Sequence, residues 1–152
     1  MKAMQPLILM LIVQTCCAAL TQAQSPNLIG RWKVEVTFAN ADRRSLRFEA
    51  EGSGKGSLLL LDPRSSLVEP AAPSEARWTQ DNENSVTFLG AVEFAIGNVG
   101  RDSGTLMFKG KFQTNDSITG EVAFFPLDQD PNNPKARPSK NGTFKAIRAQ
   151  GG

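Results

Sequence analysis

Polar and apolar side chains alternate without a break in the stretch RWKVEVTF, residues 31–38. The apolar members all fall at even positions: Trp32, Val34, Val36 and Phe38. Successive side chains of an extended chain point to opposite faces, so this period of two predicts a β-strand with one buried face. A helix would scatter the same residues around its circumference. A chain made of such strands has to bury one face of each strand.

The same period returns along the chain, and apolar residues at helical spacing do not persist anywhere after residue 24. We predict about eight strands, near residues 31–38, 45–50, 58–61, 75–81, 86–96, 106–112, 118–124 and 143–149. Gly90, in the middle of the fifth strand, predicts a kink or a bulge. Residues 97–104 contain three glycines and are expected to form a turn-rich connection.

Short connections between successive strands favour antiparallel neighbours. A sheet of about eight strands, each with a single apolar face, either splits into a β-sandwich or curls into a closed barrel. Glycines near strand middles favour curling, and eight strands suit a barrel whose interior holds core side chains or one small ligand. The residues alone leave the sandwich and the barrel open as alternatives.

The first two dozen residues have the pattern of a signal peptide. Lys2 precedes an uncharged apolar run at residues 7–13, and Thr21 and Ala23 stand before an expected cleavage site at Gln24. We therefore predict a leader over residues 1–23 and one secreted or periplasmic domain over residues 24–152. The apolar run is far shorter than the roughly 20 residues that span a bilayer, so no transmembrane span is expected.

The residue types that are missing exclude several kinds of chemistry. The chain has no histidine, and its two cysteines, Cys16 and Cys17, both lie in the predicted leader, where Gln14 and Thr15 disfavour a lipid anchor. Catalytic Ser-His-Asp and Cys-His arrangements and zinc sites built from histidine or cysteine are therefore excluded from the domain. We expect no enzymatic activity, no metal and no cofactor.

The charge balance points away from nucleic acid as a partner. The sequence holds 17 Lys and Arg against 15 Asp and Glu, and no basic run is longer than Arg43-Arg44. A nucleic-acid binder needs a concentrated positive surface, which this composition does not predict.

Two short motifs resemble the lipocalin-like (calycin) superfamily. Gly30-Arg31-Trp32 opens the first strand as a G-x-W sequence, and Arg148 is the sole arginine of the last predicted strand. The resemblance implies an up-and-down antiparallel barrel in which Gly30, Trp32 and Arg148 form the closed end, the guanidinium lying over the indole. It does not extend to biotin or haem binding, because the chain has no tyrosine and no histidine.

In such a barrel a set of inward apolar residues would line the interior: Val36, Phe38, Phe48, Phe88, Phe94, Phe108, Phe112 and Phe124. These side chains either fill the barrel or line a pocket for a small hydrophobic molecule. We take a non-catalytic ligand-binding barrel as the first hypothesis. The alternative is a protein-interaction module such as a periplasmic protease inhibitor, with the proline-rich segments 63–74 and 126–140 as its contact loops.

Overall fold

The computed structural model describes residues 25–61, 72–81, 84–96 and 100–150. The predicted leader, both cysteines and most of the predicted contact loop 63–74 lie outside the described residues. The elements in chain order are β1 (Gly30–Phe38), β2 (Arg43–Ala50), a short 3-10 turn (Gly52–Gly54), β3 (Lys55–Leu60), β4 (Ser74–Gln80), β5 (Ser85–Ile96), β6 (Gly100–Thr114), β7 (Ser117–Pro126) and β8 (Lys140–Arg148). Within these ranges no helix has the length and apolar character needed to cross a membrane.

The eight strands form one closed, up-and-down barrel. Each strand pairs antiparallel with the next in sequence, and β1 also pairs with β8, which closes the ring. The closing register places Trp32 opposite Arg148 and Phe38 opposite Gly142. The predicted all-β antiparallel barrel is therefore confirmed, and the sandwich alternative is wrong.

Burial follows the sequence period closely. In β1 the even residues from Trp32 to Phe38 are buried and the odd ones are exposed. β2 has the same parity, because Leu46, Phe48 and Ala50 are buried. One apolar face per strand thus becomes the inside of a ring, and the apolar side chains of all eight strands meet in one core.

Two predicted irregularities are placed differently by the structure. The pairing of β5 with β6 runs through Gly90 with no shift in register, so β5 has no bulge there. Gly90 instead leaves room for its neighbours, since a Cβ there would lie 3.1 Å from the Cβ of Leu58. The register shift occurs between Phe112 and Thr114, where β6 turns towards β7. The expected connection 97–104 was too long, because Gly100 already belongs to β6.

Strands β5 and β6 extend beyond the rest of the barrel wall at one end. The pairing of β4 with β5 stops at Ala76 and Gly90, whereas β5 and β6 stay paired up to Ile96 and Gly100. We call residues 91–96 with 100–103 the overhanging hairpin, because the pairing of β6 with β7 begins at Gly104. The hairpin stands at one end of the barrel, which we call the mouth. Trp32 and Arg148 lie at the opposite, closed end.

Candidate functional site

The closed end of the barrel is organised by Arg148. Its guanidinium carbon lies 4.3 Å from the centre of the Trp32 ring, within the range of a cation–π contact. The same side chain donates to the carbonyls of Asn27, Ile29 and Asn115 and pairs with the Asp116 carboxylate at 2.9 Å. A planar group with five donors suits this position, because it serves several acceptors and a ring face at once.

The residues before β1 lie across the floor of the barrel. Leu28 is fully buried, and its carbonyl accepts the Trp32 indole N–H at 2.8 Å. Gln80, a residue of β4, fixes this segment in place. Its side-chain Oε1 accepts a hydrogen bond from the Leu28 amide, and its Nε2 donates to the Pro26 carbonyl. Gly30 has a φ of +125°, and a Cβ there would lie 2.9 Å from the Arg148 guanidinium. The G-x-W motif therefore lies where the resemblance places it, with a steric reason for its glycine.

Stacked phenylalanines occupy the middle of the barrel. The rings of Phe48, Phe88 and Phe108 form a stack with centroid separations of 4.4 and 4.3 Å. Phe144 packs edge-on against Phe88 and Phe108 at 5.5 and 5.2 Å. We did not single out Phe144 from the sequence, although its parity in the last strand was signal enough. Rings in van der Waals contact across the axis act as a core at this level, and a ligand would have to displace them.

The remaining predicted interior residues lie above and below this stack. Phe112 packs against Trp32 at 5.9 Å near the floor, and Val36 is buried among the β1 residues of the core. Phe38 and Phe124 lie near the mouth, where each contacts Phe94 of the overhanging hairpin. Seven of the eight predicted interior residues are buried and Phe112 is partly buried against the core, and the eight lie at three different levels.

The mouth is covered by the overhanging hairpin. Phe94 lies beyond the last pair of β4 and β5, yet it is only 2% exposed, because its ring packs on Phe38 and Phe124. Two inward cations lie over these rings. The Arg44 guanidinium carbon is 5.4 Å from the Phe94 centroid, and Lys140 Nζ is 5.1 Å from that of Phe124.

Both cations at the mouth have carboxylate partners. Arg44 pairs with Asp42 at 2.9 Å, and Lys140 pairs with Asp102 at 2.7 Å, which ties β8 to the hairpin. Charged groups therefore surround an aromatic plug at this end.

A groove runs along the outside of the wall formed by β6, β7, β8 and β1. Its volume is about 680 Å³, within the range of small-molecule sites. Met107 and Phe125 point outwards by parity, yet they are only 8% and 7% exposed and supply apolar surface to the groove. The groove also contains polar groups on β6, β7, β8 and β1: Thr37, Lys109, Glu121, Asn141 and Thr143. We did not predict this groove, because parity assigns its residues to solvent.

The segment between β7 and β8, residues 127–139, lies in sequence between the groove residues Phe125 and Asn141 and has internal hydrogen bonds; we call it the β7–β8 loop. Asp130 Oδ1 accepts the amide of Asn132, and Asn133 Oδ1 accepts the amide of Lys135. The Gln129 amide donates to the Pro126 carbonyl, and the Ser139 amide donates to the carbonyl of Phe124. Such side-chain and backbone turns fix the loop without a partner.

Leu127 stands at the start of this loop and is 77% exposed. It directly follows Pro126, the last residue of β7, and Phe125, which lines the groove. Among the described residues it is the most exposed of the large apolar side chains. The predicted contact segment 126–140 therefore corresponds to a structured element.

Comparisons with known proteins add little to this geometry. No family profile matches the sequence, and no curated protein matches it. Among solved structures, a redesigned β-barrel is similar at 8% sequence identity and a TM-score of 0.41, with 82% of this chain and 92% of the other covered. The description of the fold therefore rests on the strand pairing of this chain.

Several charged residues of the described ranges form ion pairs at the surface. Glu93 pairs with Arg101, and Lys33 with Glu35 at 3.0 Å. The pKa of Glu35 is lowered from 4.5, first by a hydrogen bond from the Ser45 hydroxyl and then by Lys33, while partial burial opposes the change. In the part of the chain that the structure describes, no three His, Cys, Asp or Glu side chains converge as a metal site.

Proposed function

We propose that the protein is a non-catalytic binding module of the extracytoplasmic space, and that it recognises another protein through the β7–β8 loop and the adjoining groove. The observation that carries the proposal is the exposure of Leu127 on a loop whose own hydrogen bonds hold it in place. An interior ligand has less support, because phenylalanine rings occupy the centre of the barrel.

The order of the loop matters because binding costs conformational entropy. A loop that is fixed before binding loses little freedom on association, so more of its contact energy appears as affinity. The four prolines at positions 126, 131, 134 and 138 restrict the backbone further. We take Leu127 as the anchor side chain, because a few side chains buried in a partner's pocket carry most of the binding energy of an interface.

A protease is the partner class that this surface fits best. Protease inhibitors present a rigid, exposed segment to a preformed cleft, and they reach high affinity from interfaces of ordinary size. Leu127 offers an aliphatic side chain for an apolar specificity pocket. The groove beside it gives the partner a second contact on the barrel wall.

Inhibition assays test the proposal directly. We would incubate the chain with serine, cysteine and metalloproteases and measure the residual hydrolysis of peptide substrates. We expect inhibition of at least one protease with an apolar specificity pocket, and about a 100-fold weaker effect with Leu127→Asp. Ile147→Asp is the matched control, because Ile147 is also exposed but lies near the closed end. Full activity of every protease in the panel would contradict the proposal.

The mouth supports a second candidate function, the binding of an apolar molecule with an acidic group. The supporting observation is the pair of inward cations, Arg44 and Lys140, over the rings of Phe94 and Phe124. Such a ligand would displace Phe94 and exchange the partners of the cations. Titration with fatty acids, followed by displacement of an anionic naphthalene dye, tests it. Lys140→Gln should weaken binding, and a chain that neither binds the dye nor takes up fatty acid excludes this candidate.

Membership of the lipocalin-like superfamily remains part of the proposal. The contact between Arg148 and Trp32 and the position of Gly30 support it, because they reproduce the expected closed end. Export is proposed on the leader pattern alone, and amino-terminal sequencing of exported protein should begin at Gln24.

A further inference from the structure

Charged residues at inward positions of the barrel gather at the mouth. In the described strands these residues are Arg44, Asp102, Lys140 and Arg148, and the other inward positions of β2, β6 and β8 carry uncharged side chains. Arg148 belongs to the floor, whereas the other three lie at the mouth. A charge on an inward face is partly removed from water, so it needs an opposite charge beside it, either from the chain or from a ligand.

The overhanging hairpin presents a ring and a carboxylate to the cations of the mouth. Phe94 of β5 and Asp102 of β6 face each other in the strand register, so their side chains lie side by side on the inner face. The Asp102 carboxylate accepts a hydrogen bond from Lys140 Nζ at 2.7 Å. The centroid of the Phe94 ring lies 5.5 Å from the same Nζ and 5.4 Å from the guanidinium carbon of Arg44. Lys140 therefore contacts both groups that the hairpin presents.

The Phe94 ring lies in an aromatic cleft that other strands provide. Phe38 of β1 and Phe124 of β7 form this cleft, and their ring centroids lie 6.1 and 5.3 Å from that of Phe94. The Phe94 ring is buried there, whereas the side chains of Asp102 and Lys140 are 28% and 29% exposed. The mouth therefore combines an apolar cleft with a cation at its rim, an arrangement that fits a molecule with an apolar end and an acidic end.

Side-chain contacts hold the hairpin over the mouth. At its base, β5 pairs with β4 as far as Gly90, and the Ser74 hydroxyl donates to the Ala91 carbonyl. Farther out, Phe94 and Asp102 attach the hairpin to the rest of the barrel. Because a partly exposed ion pair contributes little stability in water, another carboxylate can replace that of Asp102 at small cost.

We propose that the mouth binds aromatic carboxylates, small molecules in which a short chain joins a ring to an acid, and that Phe94 and Asp102 occupy this site within the chain itself. Facing residues of a strand pair have Cβ atoms about 5 Å apart, so one arylalkanoic acid can reproduce the spacing of this ring and carboxylate. The ring of the ligand replaces that of Phe94 in the aromatic cleft. Its carboxylate replaces that of Asp102 at Lys140.

This inference rests on the second candidate function, the binding of an apolar acid at the mouth, and it adds a ligand class and a means of regulation. A site that its own chain occupies binds more weakly, in proportion to the fraction of molecules in which the hairpin has lifted. Loosening the hairpin should therefore raise the affinity of the site, whereas loss of Lys140 should lower it.

The variant Asp102→Asn tests the competition between the two carboxylates. The probe is 3-phenylpropionate, and NMR titration of the chain from Gln24 measures its affinity. We expect Asp102→Asn to bind the probe about 10-fold more tightly than the wild-type chain, because Lys140 loses its internal partner. The neutral 3-phenylpropionamide should gain less than about 2-fold, since it cannot pair with Lys140. Glu93→Gln is the matched control, because Glu93 lies on the same hairpin but pairs with Arg101, and it should leave both affinities unchanged.

Two further measurements test the ring and the cation. Phe94→Ala should bind 3-phenylpropionate several-fold more tightly than the wild-type chain, because the aromatic cleft is vacated. It should prefer this probe to hexanoate, an aliphatic acid of comparable apolar size, since only the aromatic probe makes ring contacts with Phe38 and Phe124. Adding Lys140→Gln to Asp102→Asn should cancel the gain in affinity. Near-UV circular dichroism checks the fold of each variant, and the partly exposed Asp102 carries the test if Phe94→Ala does not fold.

Three results would overturn the proposal. The first is that neither the wild-type chain nor Asp102→Asn binds 3-phenylpropionate at about 10 mM. The second is an equal gain for the acid and the amide in Asp102→Asn, which would show that Asp102 only holds the hairpin down. The third is equal binding of hexanoate and 3-phenylpropionate. A chain that takes up fatty acid but not 3-phenylpropionate keeps the second candidate function and loses this inference, whereas a chain that binds neither loses both.

Discussion

Individual residues in this protein act mainly by holding sequence-distant segments together. Arg148 is the clearest case, because one side chain reaches the residues before β1, the β6–β7 turn and the Trp32 ring. Charge-assisted hydrogen bonds and a cation–π contact are stronger than their neutral equivalents when they are partly shielded from water. The floor of the barrel therefore depends strongly on this one residue.

Replacing Arg148 should open the floor of the barrel. We expect Arg148→Ala to lower the free energy of unfolding by about 3 kcal/mol, since several carbonyls lose their donor together. Arg148→Lys should recover part of the loss, because an ammonium keeps the charge but serves fewer acceptors. Urea unfolding measures both. Arg77→Ala, on the exposed outer wall, is the control and should change stability by less than about 0.5 kcal/mol.

Glu35 makes a small contribution to the stability of the barrel at acid pH. Its pKa is depressed in the folded chain, chiefly by the Ser45 hydroxyl, so the ionised carboxylate stabilises the fold above pH 4.5. This contribution is lost as the pH falls through the lowered pKa. Because Glu35 is half-exposed, we expect less than about 1 kcal/mol.

Carboxyl NMR titration checks this prediction. The Glu35 pKa should lie below 4.5 in the wild-type chain and move towards 4.5 in Ser45→Ala. Ser57→Ala, another serine of the outer wall, should leave it unchanged. An equal pKa in all three chains would contradict the assignment.

At the scale of strands, the barrel depends on close approach between neighbouring backbones. Gly110 and Gly120 face each other across β6 and β7. A Cβ at Gly120 would overlap the Lys109 carbonyl oxygen. This pair lets the wall curl tightly beside Phe144, whose ring lies 2.7 Å from where a Cβ of Gly110 would be.

Adding a methyl group at Gly120 should therefore be costly. We expect Gly120→Ala to lower the free energy of unfolding by about 2 kcal/mol, because the backbone of β6 or β7 has to shift. Gly52→Ala is the matched control, since a Cβ there has nothing within 4 Å. Thermal unfolding of the two variants compares them directly. Equal melting temperatures would show that the wall absorbs the extra methyl group.

As a whole, the molecule is a barrel whose two ends and centre are all occupied. Leu28 and Trp32 cover the floor, the phenylalanine stack crosses the middle, and Phe94 covers the mouth. The surfaces of the proposed protein recognition, the β7–β8 loop and the groove, accordingly lie on the outside of the barrel. The proposed interior pocket for a small molecule then requires movement of the hairpin.

Removing the central ring tests whether the stack acts as a core. Phe88→Ala should lower the free energy of unfolding by about 4 kcal/mol and leave an apolar cavity between Phe48 and Phe108. Such cavities take up benzene, so calorimetry should detect binding in Phe88→Ala and none in the wild-type chain. Leu127→Ala, at the surface, should leave stability unchanged. Benzene binding by the wild-type chain would show that its interior is open.

The sequence by itself determined the strands, the inward face of each and the residues at the closed end. An alternation of polar and apolar residues shows which side of a strand is apolar, and a few consecutive residues are enough to reveal it. The G-x-W motif and the last-strand arginine were likewise visible as short patterns, although their contact was an expectation from resemblance.

Only the tertiary structure decided how the inward faces meet. Parity cannot say whether two apolar faces close into a ring or stack as layers, because closure depends on register and curvature accumulated over eight strands. It also assigned Met107 and Phe125 to solvent, whereas the folded wall buries them. The overhang of the hairpin depends on where β4 and β7 end relative to β5 and β6, which is a relation between strands and not a property of any one of them.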